Sequence, residues 1–225
     1  MAERLSVIIP ALNEEAYIAP AISSAFAAGA DEVIVVDGGS TDNTSARAMA
    51  SGASVVWSAR GRGIQLHAGA LAATGDVFFF MHADSRLPSV CKREIFALLA
   101  GSDAGYFRLR FDDSSWPVRL VAWGANLRSS LLSLPYGDQS LFLRRSLYES
   151  LGGFRSYPFL EDLDFVRRLK RTGTLRPMSS CVTVSARRLL RPLPLAPILV
   201  SVRNAAIVLL FLLGASPERL IKLYR

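Results

Sequence analysis

The stretch Val77-Phe78-Phe79-Phe80-Met81-His82-Ala83-Asp84 sets the tightest limit on what this chain can fold into. Bulky apolar side chains at consecutive positions leave no polar face. Such a run is buried from both sides, as a strand inside a helix-covered parallel sheet is. It stops abruptly at an imidazole and a carboxylate. In open α/β sheets the carboxyl ends of strands border the ligand crevice. That places His82 and Asp84 at the edge where a ligand binds.

Around this run, apolar strand-like segments alternate with helical ones. Leu5-Ser6-Val7-Ile8-Ile9 reads as a strand ended by Pro10, and Ala11-Leu12-Asn13-Glu14-Glu15 turns into a helix reaching about residue 28. Glu14 and Glu15 suit the positive end of that helix. A second strand, Glu32-Val33-Ile34-Val35-Val36, ends at Asp37, and residues 38–44 are dense in turn formers and helix caps. A helix to about residue 51, the short strand Ser54-Val55-Val56-Trp57 and a helix opened by Gly61-Arg62-Gly63 lead into the Val77 run. This alternation indicates an α/β fold, a mostly parallel Rossmann-like sheet with helices on both faces. Beyond it the pattern predicts helices over 87–100, 116–134, 145–151 and 161–171. It predicts strands over 104–111 and 136–143, and one or two short strands within 174–185.

The end of the chain differs in character. From Cys181 onward there are seven basic residues against the single acid Glu218, so this tail holds six of the seven net positive charges. The preceding part is close to neutral, which argues against a nucleic-acid-binding face. Two domains are expected: a catalytic unit over 1–186 and a basic, apolar helical appendage over 187–225. Pro192, Pro194 and Pro197 punctuate its entry, and residues 198–213 are almost wholly apolar apart from Arg203 and Asn204. The uninterrupted apolar run falls short of the roughly 20 residues a spanning helix needs. A mid-span Arg costs about 2.5–3.5 kcal/mol even on a lenient scale. A core-packed, dimerising or interfacial helix fits better, and a basic leucine-rich tail suits an anionic membrane surface. Cys91 and Cys181 stand alone, and Met1-Ala2-Glu3-Arg4 leads straight into a strand without a signal peptide. A cytoplasmic setting follows, with peripheral attachment to the inner face of the membrane.

Three strands end in distinctive polar residues: Asn13 after the first, Asp37 after the second, His82 and Asp84 after the fourth. In a parallel sheet these ends share one edge, and Arg62 enters the same crevice from its helix. The combination suits a nucleotide diphosphate: one carboxylate accepts from a base N–H, another holds a divalent metal, and an arginine meets phosphate. Plainer roles exist for each residue. Asp37 ahead of Gly38-Gly39 can build a turn, Asp42 and Thr44 cap a helix, Arg62 can be solvated, and His82 can be a satisfied core histidine. Glu161-Asp162-Leu163-Asp164 opens a helix, where acids suit the dipole anyway. Beside Phe159 and Leu160, one of these carboxylates can also face a dry cleft with a raised pKa and act as a general base.

Taken together, Val7-Ile8-Ile9-Pro10-Ala11-Leu12-Asn13-Glu14-Glu15, Val35-Val36-Asp37-Gly38-Gly39-Ser40-Thr41-Asp42, Gly75-Asp76-Val77 leading to His82-Ala83-Asp84, and Gly152-Gly153-Phe154 ahead of Glu161-Asp162-Leu163-Asp164 resemble family 2 glycosyltransferases of the GT-A fold. His-Ala-Asp in place of Asp-x-Asp, Gly137-Asp138-Gln139 and the ending from Leu213 to Arg225 resemble a narrower group, the short glycosyltransferases associated with arsenosugar biosynthesis. The resemblance implies a UDP- or GDP-sugar donor, inversion at the anomeric carbon, and an acceptor that the motifs do not identify. It implies that Pro10, Asn13, Glu14 and Asp37 contact the nucleoside and that Arg62 meets the nucleotide. His82 and Ala83 lie against the donor. Asp84 binds Mn2+ or Mg2+, Asp162 is the base, and Glu161 supports it. His82 and Gly38 stand where the family often carries acids, and both departures bear on donor choice. Two other classes compete. One is a catalytically inactive nucleotide-sugar-binding or scaffold protein. The other is a dinucleotide oxidoreductase, which the missing third glycine after Gly61-Arg62-Gly63 disfavours.

Overall fold

The computed structural model describes residues 3–89, 91–189 and 196–224, with the side chains of residues 91, 196 and 224 left out. Arg191, Pro192, Pro194 and Arg225 of the tail lie outside the described residues. Strands β1 (Leu5–Ala11), β2 (Glu32–Asp37), β3 (Ser54–Trp57) and β4 (Val77–Phe80) alternate with helices α1 (Ile18–Ala27), α2 (Thr44–Ala50) and α3 (Arg62–Ala72). The second half carries β5 (Ser85–Arg86), α4 (Cys91–Leu99), β6 (Ala104–Phe111), α5 (Trp116–Leu132), β7 (Leu141–Arg144), α6 (Arg145–Ser150), α7 (Glu161–Thr172) and β8 (Leu175–Val184). Helices α8 (Ala196–Leu212) and α9 (Pro217–Tyr224) follow.

Eight strands form one sheet in the order β3-β2-β1-β4-β7-β6-β8-β5. The β1–β2, β1–β4, β2–β3 and β6–β8 pairs are parallel, and the β4–β7, β6–β7 and β5–β8 pairs are antiparallel. The sheet is therefore mostly parallel, with β7 and the two-residue edge strand β5 running against it. Two reversals about β7 make β6 and β8 run in the same direction as β4. Their carboxyl ends consequently reach the same edge as those of β1, β2 and β4.

The Val77 run is buried on both faces, as its composition demands. Val77 and Phe79 join the cluster beneath α1, α2 and α4, whereas Phe78 and Phe80 join the one beneath α3, α6 and α7. Phe79 is fully buried and lies between Phe107 and Phe142, at ring centroid distances of 5.7 and 6.1 Å. Burial of each such ring is worth about 1.5–3 kcal/mol.

Several expected boundaries shift. Pro10 does not end β1: it pairs with Val36, and Ala11 pairs with Asp37. On its other side β1 pairs with β4 only as far as Ile8–Phe80, so the donor that proline lacks is not needed there. Helix α4 begins at Cys91, not at residue 87, because Ser85 and Arg86 first pair with β8. The segment expected to start a strand at Tyr136 forms a short 3-10 turn over Gly137–Gln139, and β7 starts at Leu141. Residues 175–184 make one continuous strand.

Helix α8 packs on one side only. Ile207, Val208 and Phe211 join Leu163 of α7 and Leu220 of α9 in a third cluster, whereas Leu199, Val202, Leu209 and Leu213 are exposed. Among the described residues, no helix is long and apolar enough to cross a membrane.

Candidate active site

The edge at the carboxyl ends of the strands gathers most of the singled-out residues, through three linked groups. The first lies between β1 and β2. Asn13 adopts a left-handed backbone (φ 55°), and its side-chain oxygen accepts from the Thr41 N–H at 2.8 Å. The Glu14 N–H donates to the Thr44 hydroxyl at 2.8 Å, and Asp42 accepts from the Thr44 N–H at 2.9 Å. Asp42 thus satisfies the first N–H of α2, whereas Thr44, expected as a cap, lies inside the helix and ties it to Glu14; the N-cap position itself is Asn43, without a side-chain capping bond. Asp37 is buried at the end of β2, where one carboxylate oxygen accepts from the Gly39 and Ser40 N–H groups (2.9 and 2.7 Å) and the other from the Ser45 hydroxyl. Burial pushes this carboxyl up, yet the bonds from Ser45, Ser40 and Gly39 outweigh it and hold the pKa below the usual value. Asp37 therefore builds its turn.

The second group surrounds Asp84, whose side chain is 3% exposed and bonded to Arg187 at 3.2 Å. Arg187 also pairs with Glu14, and its guanidinium lies 4.0 Å from the Tyr17 ring centre. Arg188 reaches Glu14 at 3.2 Å and Asp84 at 3.9 Å. Strand pairing causes this arrangement. Ser85, next to Asp84, is in register with Val184, and the Ser185 N–H donates to the Asp84 carbonyl at 3.0 Å. The end of β8 is thereby pinned against the end of β4, and the two arginines that follow land on the acids. Both arginines fall in the basic stretch from residue 187 onward, which by charge alone suits a membrane-facing tail. Their position just past a strand end, the same placement as Asp37 and Asp84, is the signal that could have found them.

The third group joins β4 to α7. Arg62 pairs with the fully buried Glu161 and approaches Asp162 at 3.5 Å. Asp162 accepts from the Gly137 N–H at 2.6 Å. A Cβ at Gly137 would sit 2.9 Å from His82 Nε2 and 3.1 Å from Asp162 Oδ2, so glycine is what lets these two side chains share the space. A Cβ at Gly63 would lie 2.2 Å from the Arg155 carbonyl, so glycine is needed for the chain ahead of α7 to approach α3. Arg62, His82, Tyr136, Gly137, Glu161 and Asp162 line one narrow pocket, which Asp37 and Asp84 do not line. Ala83 is buried between His82 and Asp84. Burial, aided by Arg62, lowers the His82 pKa to about 4 against the pull of Asp84, so the imidazole is neutral at pH 7. Burial raises Glu161 despite the opposing charge of Arg62.

Asp138, part of the Gly137-Asp138-Gln139 motif, is a half-buried acid to which the sequence gave no role. Burial raises its pKa, with Arg128 opposing and Asp162 adding to the rise, and its Oδ1 has no hydrogen-bond partner. A raised carboxyl contributes stability that is present below its ordinary pKa and lost as pH rises through the folded value. Asp138→Asn is therefore expected to raise the melting temperature at pH 8 by a few degrees, on the order of 1–2 kcal/mol. The gain should fade towards pH 4. Melting curves across that range check it, and a pH-independent difference would show that the carboxyl charge is not the cause.

A sheet with acids at its carboxyl edge, flanked by helices and closed by an antiparallel strand, defines the GT-A glycosyltransferase fold, and solved structures of that class superpose on it. Residues 6–155 match the profile of Glycosyl transferase family 2, and the chain belongs to that family. A glucosyl-3-phosphoglycerate synthase of Mycobacterium tuberculosis is 42% identical over 92 residues, covering 36% of this chain and 28% of that protein. The chain thus matches under a third of that curated relative's length. A crystal structure of that organism's enzyme with Mn2+, UDP and glucosyl-3-phosphoglycerate superposes with a TM-score of 0.64 at 25% identity, covering 93% of this chain and 79% of that one. Another, with Mn2+ and UDP-glucose, gives a TM-score of 0.62 at 26% identity, over 93% and 78%.

Proposed function

We propose that this protein is an inverting glycosyltransferase that moves a sugar from a nucleotide-diphosphate donor, a UDP- or GDP-sugar, to a hydroxyl acceptor. The observation that carries the reading is the meeting of Asp162 and His82 across Gly137, with Arg62 beside them. The relative crystallised with Mn2+ and UDP-glucose favours UDP over GDP.

A divalent cation suits Asp84 chemically. Such ions are commonly held by one or two carboxylates plus substrate phosphates, not by a full protein cage. Among the described residues no group of three or more His, Cys, Asp or Glu could hold an ion alone. When bound, Mn2+ or Mg2+ at Asp84 supplies Lewis-acid stabilisation of the diphosphate. The chain's own groups do the rest. Asp162, aimed by the Gly137 N–H, takes the acceptor hydroxyl proton as the oxygen attacks the anomeric carbon from the face opposite the leaving group. Glu161 fixes Arg62. Arg187 and Arg188 turn from Glu14 and Asp84 to the departing diphosphate. His82, neutral and without the charge of the acid it replaces, lies against the sugar. Asn13, Glu14, Asp37 and the Pro10 backbone border the nucleoside. Of the features that mark the short arsenosugar-associated group, His82 and Gly137 line this same pocket, which is in keeping with that narrower assignment.

A thermal-shift panel of UDP-, GDP- and CDP-sugars with and without Mn2+, followed by product analysis, tests the reading. Metal-dependent stabilisation by one donor class, with transfer or donor hydrolysis, is expected. Binding without any turnover would establish the alternative, an inactive nucleotide-sugar-binding or scaffold protein. The hold of Arg187 and Arg188 on Asp84 is what favours that alternative.

We also propose peripheral attachment to an anionic membrane surface. The support is an exposed apolar face on two neighbouring helices, with Trp116, Trp123 and Leu131 on α5, Leu199 and Val202 on α8, and Leu213 just past the end of α8. Arg203, Arg219 and Lys222 add positive charge nearby. Flotation with anionic vesicles is expected to recover the full chain, and Trp116→Glu with Trp123→Glu to lower recovery severalfold. Undiminished recovery would remove the contact. A concentration-dependent dimer without flotation would show that this face serves a second copy of the chain.

A further inference from the structure

A second basic cavity lies on the far side of α7 from the pocket of Asp162. Asp162 and Val166 face that pocket, whereas Asp164, Arg167, Arg168 and Arg171 face the other way. With Arg155 ahead of the helix and residues 214–218 at the α8–α9 corner, they line an open cavity of about 480 Å³. This space belongs to no part of the site described above.

Four arginines line it against two acids, Asp164 and Glu218. Asp164 is already neutralised, by Arg168 at 2.9 Å and Arg155 at 3.3 Å. Arg168 is committed to structure, since it also donates to the carbonyls of Leu151 and Gly153. Arg167 is held with its guanidinium 5.6 Å from the Phe211 ring centre. Arg155 bonds Asp164 and the Tyr157 hydroxyl through one nitrogen and is more than half exposed, so its remaining donors are open to a ligand. Arg171 is exposed on the same helix face. Three guanidiniums with spare donors around a chamber of this size form a receptor for a multiply charged oxyanion. Planar forks of this kind bind phosphate bidentately.

We propose that this cavity binds a phosphate-bearing ligand, separate from the donor diphosphate. That chemistry has two sources: a free phosphorylated small molecule, or the headgroup of an anionic lipid approached along α8. Calorimetry on the full chain, saturated with UDP and Mn2+ so that the cleft is filled, would use inorganic phosphate and pyrophosphate as probes. Vesicles containing phosphatidic acid would form a parallel arm, against neutral vesicles. Saturable binding of pyrophosphate or of the acidic vesicles is expected, weakened roughly tenfold or more by Arg155→Ala with Arg171→Ala. The melting temperature of that variant reports that it is folded, and its transfer rate in the absence of added phosphate is expected to match the parent. Binding of the ions alone assigns a soluble ligand, and binding of the vesicles alone assigns a lipid headgroup. No saturable binding in either arm, or binding unchanged in the folded double variant, overturns the proposal.

Discussion

Replacing Asp162 with Asn is expected to cut sugar transfer by about 10²–10⁴-fold, the range a general base supplies, while donor affinity stays within a few fold. The substitution is nearly isosteric. The asparagine oxygen can still accept from the Gly137 N–H that fixes the carboxylate at 2.6 Å, so the loop over Gly137–Gln139 keeps its anchor. What is lost is a group able to carry away the acceptor proton. Glu161 cannot take over, because it is fully buried and committed to Arg62. Single-turnover rates and donor calorimetry on the same preparation separate the outcomes. Unchanged turnover would remove Asp162 as the base. Equal losses in turnover and in donor binding would make it a binding residue instead.

Neighbouring stretches of the chain were the legible part. The Val77 run announced a strand buried on both faces, and alternating layers gave α/β architecture with an acid-bearing edge. Residues 104–111 showed their strand by simple alternation and form β6 over those bounds. Asp42 was legible at the start of α2 because its bond from the Thr44 N–H is local, but Thr44, expected as a cap, instead ties the helix to Glu14, 30 residues away. The departures come from pairing between distant segments. The two-residue β5 has no periodicity to detect and exists only because β8 lies beside it. The direction of β7, which makes the sheet mixed, follows from neighbours and not from its own side chains. The raised pKa of Asp138 could not be read from the sequence, because it depends on burial and on the charge of Asp162, which only the fold brings close. The double role of Gly137, anchoring Asp162 and clearing room for His82, joins three segments that only the fold brings together.

Arg187 and Arg188 are the strongest instance of that gap, and they lead to the second large expected effect. They lie 103 or more residues from Asp84 and 173 or more from Glu14, in a stretch whose charge looked like a membrane anchor. Arg187→Ala with Arg188→Ala is expected to lower kcat by about 10²–10³-fold, the loss typical of removing one donor to a developing oxyanion. Activity alone would not separate this from a folding defect, so metal binding is the discriminating readout. In the parent, a guanidinium 3.2 Å from Asp84 opposes entry of a dication. At an effective dielectric of 20, two unit charges 4 Å apart interact by about 4 kcal/mol, and a third of that is a tenfold change in affinity. The double variant should therefore bind Mn2+ at least about tenfold more tightly without nucleotide, and the further gain from adding UDP should be smaller in the variant than in the parent. Weaker Mn2+ binding in the folded variant would mean that the arginines organise the acids instead of competing with the ion. In that case the diphosphate must be met by Arg62 alone among the arginines assigned to the cleft, and the transfer defect would appear mainly in KM instead of kcat.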